Sequence, residues 1–163
     1  MLAVLLVCSL HLVVAAQPEW SPRPDAARYL ATARALTRGE GYTYLGQPFT
    51  LRPPGFSVLL APVTALVGLD FRALEVFTGA TGLVAAAALF MLFRARLGGV
   101  LAAAFTLWFW FLPERIRLCR EIMADVPGFA ALVLALLAVD ACERRPSHHR
   151  MPIPSVRAST SIA

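Results

Sequence analysis

Between Glu75 and Arg94 the chain holds 18 consecutive uncharged residues, Val76 to Phe93. As a helix that run rises roughly 27 Å, close to the ~30 Å of hydrocarbon in a bilayer. Backbone amides cannot stay unpaired in lipid, so a chain containing such a run is expected to fold as helices. Three further apolar stretches support the same reading. Leu97 to Leu112 carries Trp108 and Trp110 among Phe105, Phe109 and Phe111 near its end, where aromatic rings suit the headgroup level. Val126 to Val139 continues into Asp140 and Cys142, and Met1 to Ala16 is apolar except for Ser9 and His11. Val14-Ala15-Ala16 looks like a signal-peptidase site, so a cleaved leader is the alternative to a retained anchor. With 58% hydrophobic and 15% charged residues, the chain is too apolar for an ordinary soluble domain. The expectation is an all-α, polytopic transmembrane protein with about four spans plus juxtamembrane amphipathic helices. Residues 1–16 would be the first span, 17–72 an outer loop, 73–142 a three-span module and 143–163 a disordered tail.

One apolar segment is too short to cross. Phe56 to Leu69 has 14 residues interrupted by Pro62, roughly 21 Å as a helix, which predicts an interfacial or re-entrant segment. If it does not cross, the loop holding Asp25 and the loop holding Glu121 and Asp125 emerge on one face. Arg94, Arg96, Arg144 and Arg145 then share the other, as a positive-inside arrangement would have it. The arginine tally opposes that orientation, because Arg23, Arg28, Arg34, Arg38, Arg52, Arg72, Arg115, Arg117 and Arg120 fall on the proposed outer loops. All 15 basic residues are arginine. A planar fork of donors suits a phosphate-bearing partner, although codon bias in a GC-rich genome explains the lack of lysine more simply. Cys8, Cys119 and Cys142 form no paired motif, so neither a disulfide framework nor a zinc site is indicated.

The polar connection after the first apolar stretch predicts a surface helix. Pro24-Asp25 reads as a helix start, with the Asp carboxylate free to accept from first-turn amides. Apolar residues recur at helical spacing to Arg38, and Gly39-Glu40-Gly41 ends the helix. Asp25, Arg28 and Tyr29 share one face. A plain cap is the simplest reading of Asp25; a proton acceptor or metal ligand is the functional one. Arg52 precedes Pro53-Pro54 and could grip a lipid-linked phosphate, or merely mark a stop before an apolar helix. In the loop Pro113 to Asp125, Arg117 and Glu121 are i, i+4 partners, so a salt-bridged surface helix is the default, and Asp125 could cap the helix that follows.

Pro24-Asp25-Ala26-Ala27-Arg28-Tyr29, Gly39-Glu40-Gly41-Tyr42, Arg52-Pro53-Pro54-Gly55, Phe71-Arg72-Ala73 and Glu121-Ile122-Met123-Ala124-Asp125-Val126-Pro127 resemble, in that order, the N-terminal module of C-type membrane glycosyltransferases. The closest likeness is to the protein O-mannosyltransferase and lipid A aminoarabinose transferase group, over about residues 20 to 142. The resemblance implies transfer of a sugar from a polyprenyl-phosphate donor to an acceptor at the outer face of a bacterial cytoplasmic membrane. It makes Asp25 the base or a metal ligand and gives Asp125, with Glu121 as runner-up, the second acidic role. Arg52, with Arg117 or Arg120, would hold the phosphate, and Arg28 and Tyr29 would line the same site. Cofactor use is left open, with a divalent metal compatible. Family members are several times longer, so a truncated module, inactive alone, is expected. Expected partners are the lipid bilayer, the polyprenyl-phosphate-linked sugar donor and other membrane subunits, with no nucleic acid. The competing reading is a non-catalytic helical subunit of an assembly or transporter.

Overall fold

The computed structural model describes residues 1–15 and 23–144. In chain order it comprises α1 (Leu2–Ala15), α2 (Pro24–Thr37), the strands β1 (Thr43–Tyr44) and β2 (Gln47–Pro48), α3 (Gly55–Val67), α4 (Phe71–Leu97), α5 (Gly99–Trp110), α6 (Pro113–Arg120) and α7 (Asp125–Glu143). The all-α expectation holds apart from the small hairpin. Helices α4 and α7 are long and apolar enough to cross a membrane, by length and composition, whereas α1, α3 and α5 are shorter apolar helices. The tail expected over 143–163 falls outside the described residues from 145 onward.

Helices α1, α4, α5 and α7 form an up-and-down bundle. Leu74 near the start of α4 shares a buried cluster with Ile122, while at the far ends Arg96 donates to Asp140 at 2.8 Å, so α4 and α7 run parallel. Arg144 donates to the same carboxylate at 2.8 Å. Helices α4 and α7 pack directly on each other, and the return helix α5 lies along α4, with Phe93 against Phe105 and Phe109 stacked on Phe129. Gly98, at φ 82°, makes the break that separates α4 from α5. Helix α1 runs against α4 and α5: Val4, Cys8 and Leu12 join Ala86, Phe90, Ala102 and Trp110 in a second cluster. Leu12 packs on Gly79, where an added Cβ would lie 2.0 Å from a Leu12 methyl. The Trp110 indole N–H donates to His11 Nδ1 at 3.1 Å, pinning the C-terminal ends of α1 and α5 together. His11 is therefore structural, as its lack of convergent ligands in the sequence suggests.

Helices α2 and α3 lie side by side and parallel across one end of the bundle. Tyr29 meets Phe56 edge to face, and the Thr32 and Ser57 hydroxyls, both fully buried, are 2.7 Å apart. The segment around Pro62 runs as one helix on α2, so the chain does not turn back on itself there. Its outer surface is apolar and bare, with Val58 55% and Leu66 87% exposed. The same is true of the bundle, where Leu6, Val100, Trp108 and Leu136 stand exposed. Apolar area of that extent in the open needs lipid or protein to cover it.

Candidate functional site

The site end of the bundle is where α1 and α5 finish and α4 and α7 begin. Asp25 stands in the first turn of α2, after Pro24, but it caps nothing: Arg23 is the N-cap residue and no side chain accepts from the first-turn amides. Instead Asp25 Oδ1 accepts from Arg28 Nη1 at 3.0 Å and Oδ2 from Arg52 Nη2 at 2.6 Å. Arg28 arrives by i, i+3 spacing on the same helix face. Arg52 arrives through the hairpin. Leu45 (φ 52°) and Gly46 (φ 78°) form a two-residue turn that brings Thr43 opposite Pro48. Tyr42 and Tyr44 then pack on buried Phe49, and the Tyr42 hydroxyl donates to the Arg52 carbonyl at 3.1 Å. Two guanidinium groups on one carboxylate leave the trio with one net positive charge.

Tyr29 sits beside this trio and reports on its surroundings. Its hydroxyl is held above the ordinary value of 10.0 chiefly by burial; Arg52 opposes the shift, and Asp25, Tyr42 and Asp125 add to it. From Tyr29 a groove of about 350 Å³ runs between the start of α3, at Phe56 and Leu59, and the start of α7, at Ala124, Pro127 and Gly128. Its walls are almost wholly apolar.

The acids differ in how they are engaged. Asp125 is exposed on the first turn of α7, caps no amide, and has no hydrogen-bonding or ionic partner among the described residues. Glu121 accepts from Arg23 at 2.9 Å and from Arg117 at 3.1 Å, with its side chain only 15% exposed. Arg23 thereby ties the entry of α2 to the end of α6. Arg117 also grips Glu114, whose carboxyl it draws below 4.5 mainly through that hydrogen bond. The guanidinium of Arg117 is consumed within α6, the salt-bridged surface helix that its spacing predicts. The Arg120 side chain lies outside the described residues. Among the described residues no three His, Cys, Asp or Glu side chains converge.

The structure therefore brings together Asp25, Arg28 and Arg52, with Tyr29 beside them and Asp125 on the first turn of α7 next to the groove-lining Ala124, while Glu121 and Arg117 serve a neighbouring network. Sequence reasoning missed Tyr42 as the support of Arg52 and Arg23 as the partner of Glu121. The tyrosine stands inside one of the motifs above, but nothing local marks its partner ten residues on. No protein-family model, curated protein or solved structure matches the chain.

Proposed function

We propose that this chain is a glycosyltransferase module of the C-type membrane class, embedded by four helices, that holds a polyprenyl-phosphate-linked sugar at the outer face of a bacterial cytoplasmic membrane. The observation that carries the reading is the Asp25–Arg28–Arg52 trio next to an apolar groove that begins at the neighbouring residues Tyr29 and Pro53. A lipid phosphate has its charge at the headgroup level and its chain in hydrocarbon. The trio supplies a net positive charge with forked donors, and the groove between α3 and α7 supplies an apolar path from it. The bare apolar outer face of α3 suits immersion beside that path.

In the reaction, an acceptor hydroxyl oxygen bonds to the anomeric carbon as the bond from that carbon to the phosphate oxygen breaks. The hydroxyl proton passes to Asp125, which has no ionic partner among the described residues. The polyprenyl phosphate departs with the electron pair, its added charge met by Arg28 and Arg52. Asp25 gathers the two arginines rather than taking the proton, which exchanges the roles implied by the resemblance. The return of the chain through α5 brings the start of α7 back to the end of the bundle where α2 enters, which supports one compartment for both acids.

The experiment uses the full chain in nanodiscs with polyprenyl phosphate, neutral polyprenol as its control, and membranes supplied with a radiolabelled polyprenyl-phosphate sugar. Wild type is expected to retain the phosphate over the alcohol, and Asp125→Asn to keep that retention while losing label transfer. Equal retention of phosphate and alcohol overturns the proposal and leaves an assembly subunit. Cysteines introduced singly at positions 25 and 125 are expected to react with an impermeant maleimide from the same side; opposite sides would rule out a shared centre.

A further inference from the structure

At the opposite end of α2, roughly 14 Å along the helix from Asp25, a second charged hollow opens. It occupies about 390 Å³ between the last turns of α2 and α3 and is lined by Arg34, Thr37, Arg38, Thr64 and Leu69. Arg34, in the last turn of α2, and Arg38, its C-cap residue four positions on, both line the hollow. Arg34 has no ionic partner among the described residues, and Arg38 has only Glu40 at 4.0 Å, at the limit of a contact. The two hydroxyls do not compete as donors: Thr37 donates to the Arg34 carbonyl at 2.8 Å and Thr64 to the Ala61 carbonyl at 2.9 Å. What the hollow offers a ligand is therefore positive charge in fork geometry, and nothing that reads a particular sugar or alcohol.

Arginine near a helix C-terminus also answers the helix dipole, which alone would account for Arg34. The surroundings ask for more. Arg34 and Leu69 also line an adjoining trough of about 190 Å³ formed with Ala27, Leu30, Ala31 and Phe71. A charged hollow that continues into an apolar trough has the layout of a phospholipid, with a phosphate at one end and acyl methylenes at the other. Leu66, 87% exposed on the last turn of α3, and Val67 beside it carry bare apolar surface to the same corner.

We infer that Arg34 and Arg38 hold the phosphate of an anionic membrane phospholipid whose first acyl methylenes lie in the Leu30–Leu69–Phe71 trough. This site is separate from the donor groove on the far side of Tyr29, and its test does not depend on glycosyl transfer. Bound there, the lipid closes the corner between α2, α3 and the start of α4, and so fixes the depth at which α2 rides on the bilayer.

The full chain is purified in phosphatidylcholine nanodiscs, with and without phosphatidylglycerol, and the lipid that stays on the protein after transfer to mild detergent is counted by native mass spectrometry. Wild type is expected to keep one phosphatidylglycerol in preference to phosphatidylcholine. Arg34→Gln with Arg38→Gln, both at exposed positions, is expected to weaken that preference about tenfold or more. Arg72→Gln, exposed at the same end but outside the hollow, leaves the preference intact. Inorganic phosphate at millimolar concentration is the second arm; if it displaces the lipid completely and binds equally well alone, the site is for free phosphate and the lipid assignment falls. Equal retention of the two lipids by wild type overturns the inference without any variant.

Discussion

Replacing Arg52 by glutamine separates binding from folding. In the folded protein its guanidinium makes one 2.6 Å contact with Asp25, between side chains that are 44% and 26% exposed. Solvent screens such a pair, so its loss costs about 1 kcal/mol of stability at most. For a chain of 163 residues that is a fall in Tm of about 2–4 °C. Ligand binding should suffer more. The trio drops from one net positive charge to none, and the lipid phosphate loses a charge-assisted hydrogen bond worth about 1.5–3 kcal/mol. Polyprenyl phosphate should bind about 10- to 150-fold more weakly, while neutral polyprenol binds as before. Arg52→Lys should recover part of the loss, because it restores the charge but not the fork. Titration of nanodisc-held protein with the two lipids, alongside a thermal melt, gives all the quantities. A Kd for polyprenyl phosphate within about threefold of wild type, with Arg52 gone and the fold intact, refutes the placement of phosphate at this arginine.

Gly79→Ala drives a Cβ to within 2.0 Å of a Leu12 methyl, and the buried leucine must swing away; overpacking of this kind should cost about 1–3 kcal/mol, read in a thermal melt. Leu45→Asn should stabilise by about 0.5–1 kcal/mol in the same assay, since leucine at φ 52° is strained, its side chain is 84% exposed, and asparagine tolerates the left-handed region. Ultraviolet titration should find Tyr29 ionising above 10.0. A folded-state value raised above the unfolded one stabilises fully below pH 10 and loses that contribution as pH climbs through the folded value. For Glu114 the sign is reversed: its carboxyl, held below 4.5 by Arg117, supports the fold above that pH and loses its effect as pH falls through the lowered value. Carbon NMR should show it returning toward 4.5 in Arg117→Gln.

Periodicity and composition made the helices legible, because helix formation in apolar sequence is decided by the sequence's own spacing. The predicted surface helix from Asp25 to Arg38 is α2 to within a residue at each end, and its stop at Gly39 is a glycine at φ 75°. Phe56 to Leu69 is recognisable in α3, and Val76 to Phe93 in the middle of α4. Where interruption was weak the reading slipped. Leu97 ends α4 rather than opening α5, since the break falls at the following glycine. The hairpin escaped because its turn uses Leu45 where asparagine, aspartate or glycine would have announced it. The site residues were visible as isolated charges, but their engagement was not. Asp25 reads locally as a cap and is in fact the centre of an ion-pair trio, because its second arginine lies 27 residues away. Asp140 reads as the polar end of a span and is the staple joining α4 to α7, through an arginine 44 residues earlier.

Two strained turns precede the segments that carry Arg52 and Asp125. Among the described residues two non-glycine positions adopt positive φ, Leu45 at 52° and Ile122 at 51°. Each costs about 1–3 kcal/mol, and for a β-branched isoleucine the region is especially unfavourable. Leu45 turns the hairpin that delivers Arg52, seven residues on. Ile122 turns the chain from α6 into α7, three residues before Asp125. Burial offsets the cost at Ile122, whose side chain is wholly enclosed in the cluster of Leu30, Leu60 and Leu74. At Leu45 the side chain is bare, and the offset comes from Phe49 and the Tyr42 bond on either side of the turn. A fold selected only to pack its helices would relieve both turns with glycine, as it does at Gly39, Gly68 and Gly98. In each case the strained residue lies a few positions before a charged residue of the proposed site, so the turn conformation sets the direction in which the segment carrying Arg52 or Asp125 leaves it.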